Sequence, residues 1–226
     1  MIRRDYILDM VEKFARMLAG IRERIDSREY VEAHVALDKA FLELLGSGAE
    51  AISRLTETQL MARLTLDDPT HVLREKSLIL VQLLQEAGQL HAVQGREMES
   101  QVCRLKALNL LLTLQLRDAD FELPDFIFRI DMLRDQLSDL VLPLRTQAGL
   151  WRYYERIGAY GRAEDALFAL LEAEPVNDNL RTEAIAFYER LLRHSDPALE
   201  QGNLPRTEVE AGLAEVRTLS TQQKLT

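Results

Sequence analysis

The chain is poor in the residues that staple, break or hide a fold. A single cysteine, Cys103, stands in 226 residues, so no disulfide framework is available and stability must come from burying apolar surface. Cys103 lies in QVCRLKALNLLL, an apolar helical run. It reads as a small buried hydrophobe rather than a reactive thiol, and a reducing, cytoplasmic setting is expected. Only 6 prolines and 10 glycines interrupt the sequence. Leu, Ala, Glu, Arg and Gln dominate instead, without a matching wealth of β-branched residues, and this predicts an all-α protein. Long hydrophobic runs are also missing. The most apolar stretch, Leu108 to Leu116, is interrupted by Asn109, Thr113 and Gln115 and falls far short of the ~20 residues of a membrane span. MIRRDYILDMVEKF is broken by Asp5, Asp9, Glu12 and Lys13, so it is not expected to act as a signal peptide. Positive charge is in deficit, with 28 Lys and Arg against 37 Asp and Glu and a net charge of −9. Such a field repels phosphate backbones, so no nucleic acid and no membrane is expected as a partner.

What remains is helical periodicity. Ile7, Val11, Phe14, Leu18, Ile21 and Ile25 alternate spacings of four and three, a heptad-like seam over a first helix from about 4 to 25. It can pack on the next helix or join two copies in a homodimer. Asp26-Ser27 is read as the cap of a second helix, 28–45, ended by Gly46-Ser47-Gly48. A third helix is expected over 49–64, and a long one from Asp68-Pro69 to about Val93. After Gly95 comes a helix over 97–116. RDADFELPDF is then irregular, with Pro124 starting a helix through about Leu140 and Pro143 another to Ile157. Helices over 161–173, from Asn177 or Asp178 to Arg193, at Ser195-Asp196-Pro197 and from Pro205 onward complete about ten, and TQQKLT is a polar tail.

In YYERIGAYGRAEDALF, Gly158 interrupts this pattern in a register that resembles a tetratricopeptide repeat, a helix pair of about 34 residues. Leu150, Tyr154, Ala163, Leu167 and Pro175 stand near the repeat's signature positions, while Gln147 and Trp151 replace its Trp and Gly. Gly158 is then the turn between paired helices, and Tyr160 is expected to insert between them. A second window carries Leu84, Ala87, Gly88, His91 and the turn glycine Gly95, with Ser100 and Arg104 departing from the pattern. A weaker third has Tyr30, Ala33, Leu37 and Ala40. The expected architecture is a tetratricopeptide-like α-solenoid over 1–219, with an amphipathic helix at 1–27, the clearest units at 73–117 and 142–175, and a tail at 220–226. RRDYIL, EAGQLHAVQG with KALNLLL, RYYERIGAYGRAEDALFALLEAEP, AFYERLL and LPRTEVEAGLAEV together resemble an uncharacterised bacterial family, a domain of unknown function with tetratricopeptide-like character. That resemblance implies the fold and brings no established activity.

In such a solenoid the first helix of each pair lines a groove for peptides. That face carries Arg145, Arg152 and Arg156 in one window, Gln82, Gln85 and Gln89 in another, and Arg22 with Leu18 in the third. The arginines suit carboxylate or phosphate, or else pair with nearby acids such as Asp131, Asp135 or Asp139. The Lys and Asn set that clamps a C-terminal carboxylate in chaperone-binding members of the superfamily is missing. Asp118, Asp120 and Glu122 have the spacing of a calcium loop, but Leu123 and Arg129 stand where it needs Gly and Glu. His34, His71, His91 and His194 include no helical i,i+3 or i,i+4 pair, so no local zinc site forms; His71 with Glu75 reads as a surface contact. HSD at 194–196 is a helix boundary and not a triad. Trp151 and Tyr153 are candidates for a stacking platform, against a role in packing. The function expected is a non-enzymatic scaffold for a protein or peptide partner, with no cofactor and no metal; the alternative is a regulator that binds a small anionic ligand, a nucleotide or a phosphorylated segment, in the groove.

Overall fold

The computed structural model describes residues 2–65, 70–117 and 129–222. Among the described residues there are twelve α-helices and no strand. They form two compact units, Met1–Val141 and Leu142–Thr226.

The first unit contains α1 (Ile2–Asp26), α2 (Tyr30–Leu45), α3 (Ala49–Arg54), α4 (Glu57–Thr65), α5 (Thr70–Val93), α6 (Glu97–Arg117) and α7 (Ile130–Asp135). Its centre is the α5–α6 hairpin, against which α1, α2, α4 and α7 pack. The reason is legible in α5: Leu78, Ile79, Leu80, Val81, Leu83 and Leu84 are all buried, so this helix is apolar on most of its circumference and must be covered on several sides. Gly88 lets α6 come close, since a Cβ there would lie 3.3 Å from the Ser100 carbonyl oxygen and 3.1 Å from Arg104 Cγ. The heptad-like seam of α1 is turned inward: Phe14, Leu18, Ile21 and Ile25 are buried, and α1 packs on α2 and α5.

The second unit contains α8 (Leu144–Ile157), α9 (Tyr160–Ala173), α10 (Asp178–Leu191), α11 (Asp196–Gln201) and α12 (Arg206–Gln222). Here α8 pairs with α9, and α10 packs on α12 and α9. Phe187 and Tyr188 are fully buried; Trp151 meets Phe187 edge-on at 5.9 Å. Gly212 makes room for Tyr188, because a Cβ there would lie 2.5 Å from its hydroxyl.

The two hairpin corners use one device. Gly95 (φ 72°) and Gly158 (φ 78°) are left-handed, and the residue after each reaches back five positions, Arg96 N–H to His91 O and Ala159 N–H to Tyr154 O, both 2.9 Å. This is the Schellman closure, which consumes carbonyls that a helix end otherwise leaves open.

Several expected boundaries move. Asp26 belongs to α1, Arg28 is left-handed at φ 63°, and Glu29 precedes α2 without a side-chain cap bond, so Asp26-Ser27 does not cap it. The helix expected over 49–64 is two, split at Leu55, whose backbone is extended. Thr56 and Gln59 then close a reciprocal capping box, Gln59 N–H to Thr56 Oγ1 at 3.2 Å and Thr56 N–H to Gln59 Oε1 at 2.9 Å. The helix expected to run through Leu140 ends at Asp135. Tyr160 packs its ring against His194, 5.3 Å between centroids, and against Gly202, where a Cβ would overlap it. Asp68, Pro69 and Pro124, and the part of the tail beyond 222, lie outside the described residues.

Candidate functional site

A groove of about 870 Å³ lies in the first unit between α2, α3, α5 and α6. Its walls are mainly apolar, with Leu37, Ala87 and Leu90 buried beneath Val35, Met98 and Val102. The last three are 65 %, 78 % and 44 % exposed. They lie on faces of α2 and α6 that the repeat register does not assign to the core, so the groove is open and greasy where a surface helix would ordinarily be polar.

Asp38, Glu50, Ser53 and Glu99 also line it, and a cluster of nitrogen-bearing side chains sits at its α5–α6 corner. Arg96 Nη2 lies 2.7 Å from His34 Nε2 and also donates to Gln94 Oε1. His34 Nε2 also lies 3.1 Å from Gln94 Oε1; a guanidinium has only donors, so Nε2 accepts from Arg96 in one tautomer and donates to Gln94 in the other. In the first tautomer Arg96 takes two acceptors without charge, and no carboxylate among the described residues pairs with it. The His91 ring lies 5.9 Å from that of His34, and its Nδ1 is buried without a partner. Burial holds the His91 pKa below the usual histidine value, with Arg96 and His34 adding to the effect. Cys103 lines the groove but is buried; burial pushes its thiol up to about 11, which leaves it protonated and inert at neutral pH. Below it Lys106 Nζ donates to the carbonyls of Ile52, at 3.3 Å, and Ser53. The buried ammonium thereby ties the end of α3 to α6 and offsets part of its own desolvation, although its pKa stays lowered.

The candidates Arg22, Gln82, Gln85 and Gln89 do come together, elsewhere in this unit. Arg22 Nε donates to Glu86 at 2.5 Å and Nη2 to Gln82 at 3.2 Å. Gln82, Gln85 and Glu86 are buried, while Gln89 is exposed and accepts from Arg104 at 3.5 Å. A cleft of about 310 Å³ opens here, lined by Arg22, Ile25, Asp26, Gln85, Glu86, Gln89 and Gln136. Desolvation raises the Glu86 pKa, opposed by Arg22 and reinforced by Asp26. A third concavity, about 630 Å³ between α1 and α2, is rimmed by Lys13, Arg16, Arg24 and Lys39 around Met17 and Val31.

Arg145, Arg152 and Arg156 all project from α8 in the second unit and are exposed. Arg152 meets Glu183 of α10 at 3.7 Å, and Arg145 and Arg156 are each engaged by another group. The tighter ion pair on this helix is Glu155 with Arg190, two bonds of 2.7 and 2.9 Å. Trp151 is a core residue and Tyr153 is half-buried, so together they form no open platform. At 194–196, His194 stacks on Tyr160 and Asp196 takes Arg206. Asp118, Asp120, Glu122 and the side chain of His71 lie outside the described residues. Among the described residues no group of three or more His, Cys, Asp or Glu side chains could hold a metal ion, and no helix is long and apolar enough to cross a membrane.

Sequence reasoning missed His34, Arg96, Met98 and Val102, which meet only through the packing of α2 on α5 and α6. Their one local signal was apolar residues placed off the core face, such as Val31 and Val35.

Helix pairs closed by left-handed glycines, with no strand among the described residues, define an all-helical protein. The chain belongs to the family of unknown function DUF6483, whose model matches residues 1–221. No curated protein and no solved structure is significantly similar to it.

Proposed function

We propose that the chain is a non-enzymatic, cytoplasmic helical-repeat scaffold of tetratricopeptide type that binds a segment of a protein partner in the α2–α6 groove. The repeat reading draws on the matched closures at Gly95 and Gly158. The observation that carries the function is the juxtaposition of Val35, Met98 and Val102 with Arg96, whose positive charge meets only uncharged acceptors. A fitting occupant is an amphipathic helix with apolar anchors one turn apart and a carboxylate placed to reach Arg96. Methionine adapts to varied anchors, which suits a peptide-binding wall.

Selection of helical peptides from a displayed library tests this. The wild-type chain is expected to enrich sequences with apolar anchors and an acidic residue, and Val102→Asp or Arg96→Glu to lose them while keeping the wild-type melting curve. Enrichment of the same peptides by these variants would place binding elsewhere, and a concentration-dependent dimer would make a second copy the occupant. Since the seam of α1 is buried, a homodimer through α1 would use its outer face.

A second reading places a small anionic ligand, a nucleotide or a phosphorylated segment, against Arg145, Arg152 and Arg156. It draws on the exposure of all three on one helix and on the long Arg152–Glu183 contact, which solvent screens and a ligand can displace. Thermal-shift measurements with nucleotides separate it from the first.

A further inference from the structure

The polar cleft beside Arg22 has features that the groove does not explain. α5 is a core helix, yet it turns Gln82, Gln85 and Glu86 toward α1 and buries them to 2 %, 4 % and 5 % exposure. Apolar residues in those places would stabilise the contact at least as well. Arg22 accounts for Gln82 and for one oxygen of Glu86. It leaves the other Glu86 oxygen, Asp26 and Gln136 without a side-chain partner among the described residues, and it leaves Gln85 Nε2 buried with no acceptor. An amide donor left so costs about 1–3 kcal/mol.

The electrostatics of the cleft lean one way. Two carboxylates, Asp26 and Glu86, face one guanidinium. Asp26 is the last residue of a 25-residue helix, where the helix dipole already places partial negative charge and disfavours an anion. Burial, and to a lesser degree Asp26, hold the Glu86 proton more tightly, against the pull of Arg22. A nucleotide or other anion is therefore the wrong ligand here, and a cation the right one. At about 310 Å³ the space matches a small organic molecule, and a rim of glutamine amides with only two carboxylates is not the oxygen shell a bare metal ion requires.

We infer that this cleft binds a small organic ligand in which a primary ammonium stands next to a hydrogen-bond acceptor, the chemistry shared by free α-amino acids and their amides. The ammonium lies between Asp26 and the open oxygen of Glu86, and the adjacent carboxylate or carbonyl accepts from Gln85 Nε2. Arg22 holds Glu86 in place and separates the two ends of the ligand. The inference does not depend on the peptide groove, since no residue lines both.

Calorimetry and thermal shift on the full chain test it, with a panel of amino acids, their amides, their N-acetyl forms, the carboxylic acids that lack the amine, and potassium and calcium chloride. Saturable binding by ammonium-bearing compounds is expected, absent for the N-acetyl forms and the plain acids. Asp26→Asn, a change at an exposed position, is expected to weaken it about threefold or more, the loss of one charged hydrogen bond at the solvent-facing rim; Gln85→Leu weakens binding of the acids and amides together. Equal binding to amides and free acids assigns Gln85 a carbonyl partner, and tighter binding of the free acid adds Arg22 as a contact. The inference is overturned if no ammonium compound binds, if both variants bind as well as the wild type, or if the inorganic cations act equally. Groove variants such as Val102→Asp are expected to retain this binding, which keeps failure here distinct from failure of the scaffold reading.

Discussion

His91 links the groove to pH. Its folded-state pKa is below 6.5 because burial, Arg96 and His34 all oppose its charge. The unfolded chain then binds the proton more readily, so the stability tied to His91 is complete above pH 6.5 and is lost as pH falls through the lowered folded value. Melting curves between pH 5 and 8 are expected to show a His91 contribution to Tm that rises with pH up to about 6.5 and is level above it, with His91→Gln shallower than wild type below pH 6.5; an unchanged slope there would deny His91 this role. Single residues were unevenly legible. Cys103 is buried as its apolar run requires, because a helix's own period fixes which side it hides. The same local signal says nothing of what a residue meets across helices. His91 was readable as an inter-helix residue, but its partner His34 stands 57 positions away and its neighbour Arg96 lies past a turn.

At the scale of elements, corners were the most readable feature, since only glycine adopts the left-handed conformation at little cost. Gly158→Ala is expected to cost about 1–2 kcal/mol, read as a lower Tm with unchanged helix content by circular dichroism; no loss would mean that the α8–α9 closure is not strained by a side chain. Gly212→Ala is expected to cost more, because the new methyl meets the buried Tyr188 ring and disturbs its 2.7 Å hydrogen bond to Glu164. Its signal in the sequence was faint, since a glycine inside a helix announces close approach without naming the partner. The break between α3 and α4 was present in the letters TETQ, a capping box, but the apolar period of Ile52, Leu55, Leu60 and Leu64 outweighed it. Local hydrogen bonding won there because Leu55 can stay in contact with the unit from an extended backbone.

At the scale of the molecule, each unit has its own buried centre, Leu80, Leu84 and Leu108 in one and Leu167, Phe187 and Tyr188 in the other. Residues 142–226 expressed alone are therefore expected to unfold cooperatively on heating; a helical but non-cooperative fragment would make the chain a single folding unit. The division was hard to foresee, because residues 141–143 read Val-Leu-Pro and carry none of the glycine, serine or charge that marks a linker. The groove was hidden for a related reason. Its walls come from α2 and α6, which are far apart in sequence and adjacent only once α5 is enclosed.

The groove as the partner-binding surface is most directly tested by methyl NMR of the chain labelled at its six methionines, titrated with a peptide selected by display. Met98 stands on the groove wall, Met17 on the α1–α2 surface, and Met10 and Met61 are buried. The scaffold reading predicts a saturable shift of the Met98 methyl with Met10 unchanged. A Met98 signal that stays fixed while Met17 or Met132 moves would contradict it.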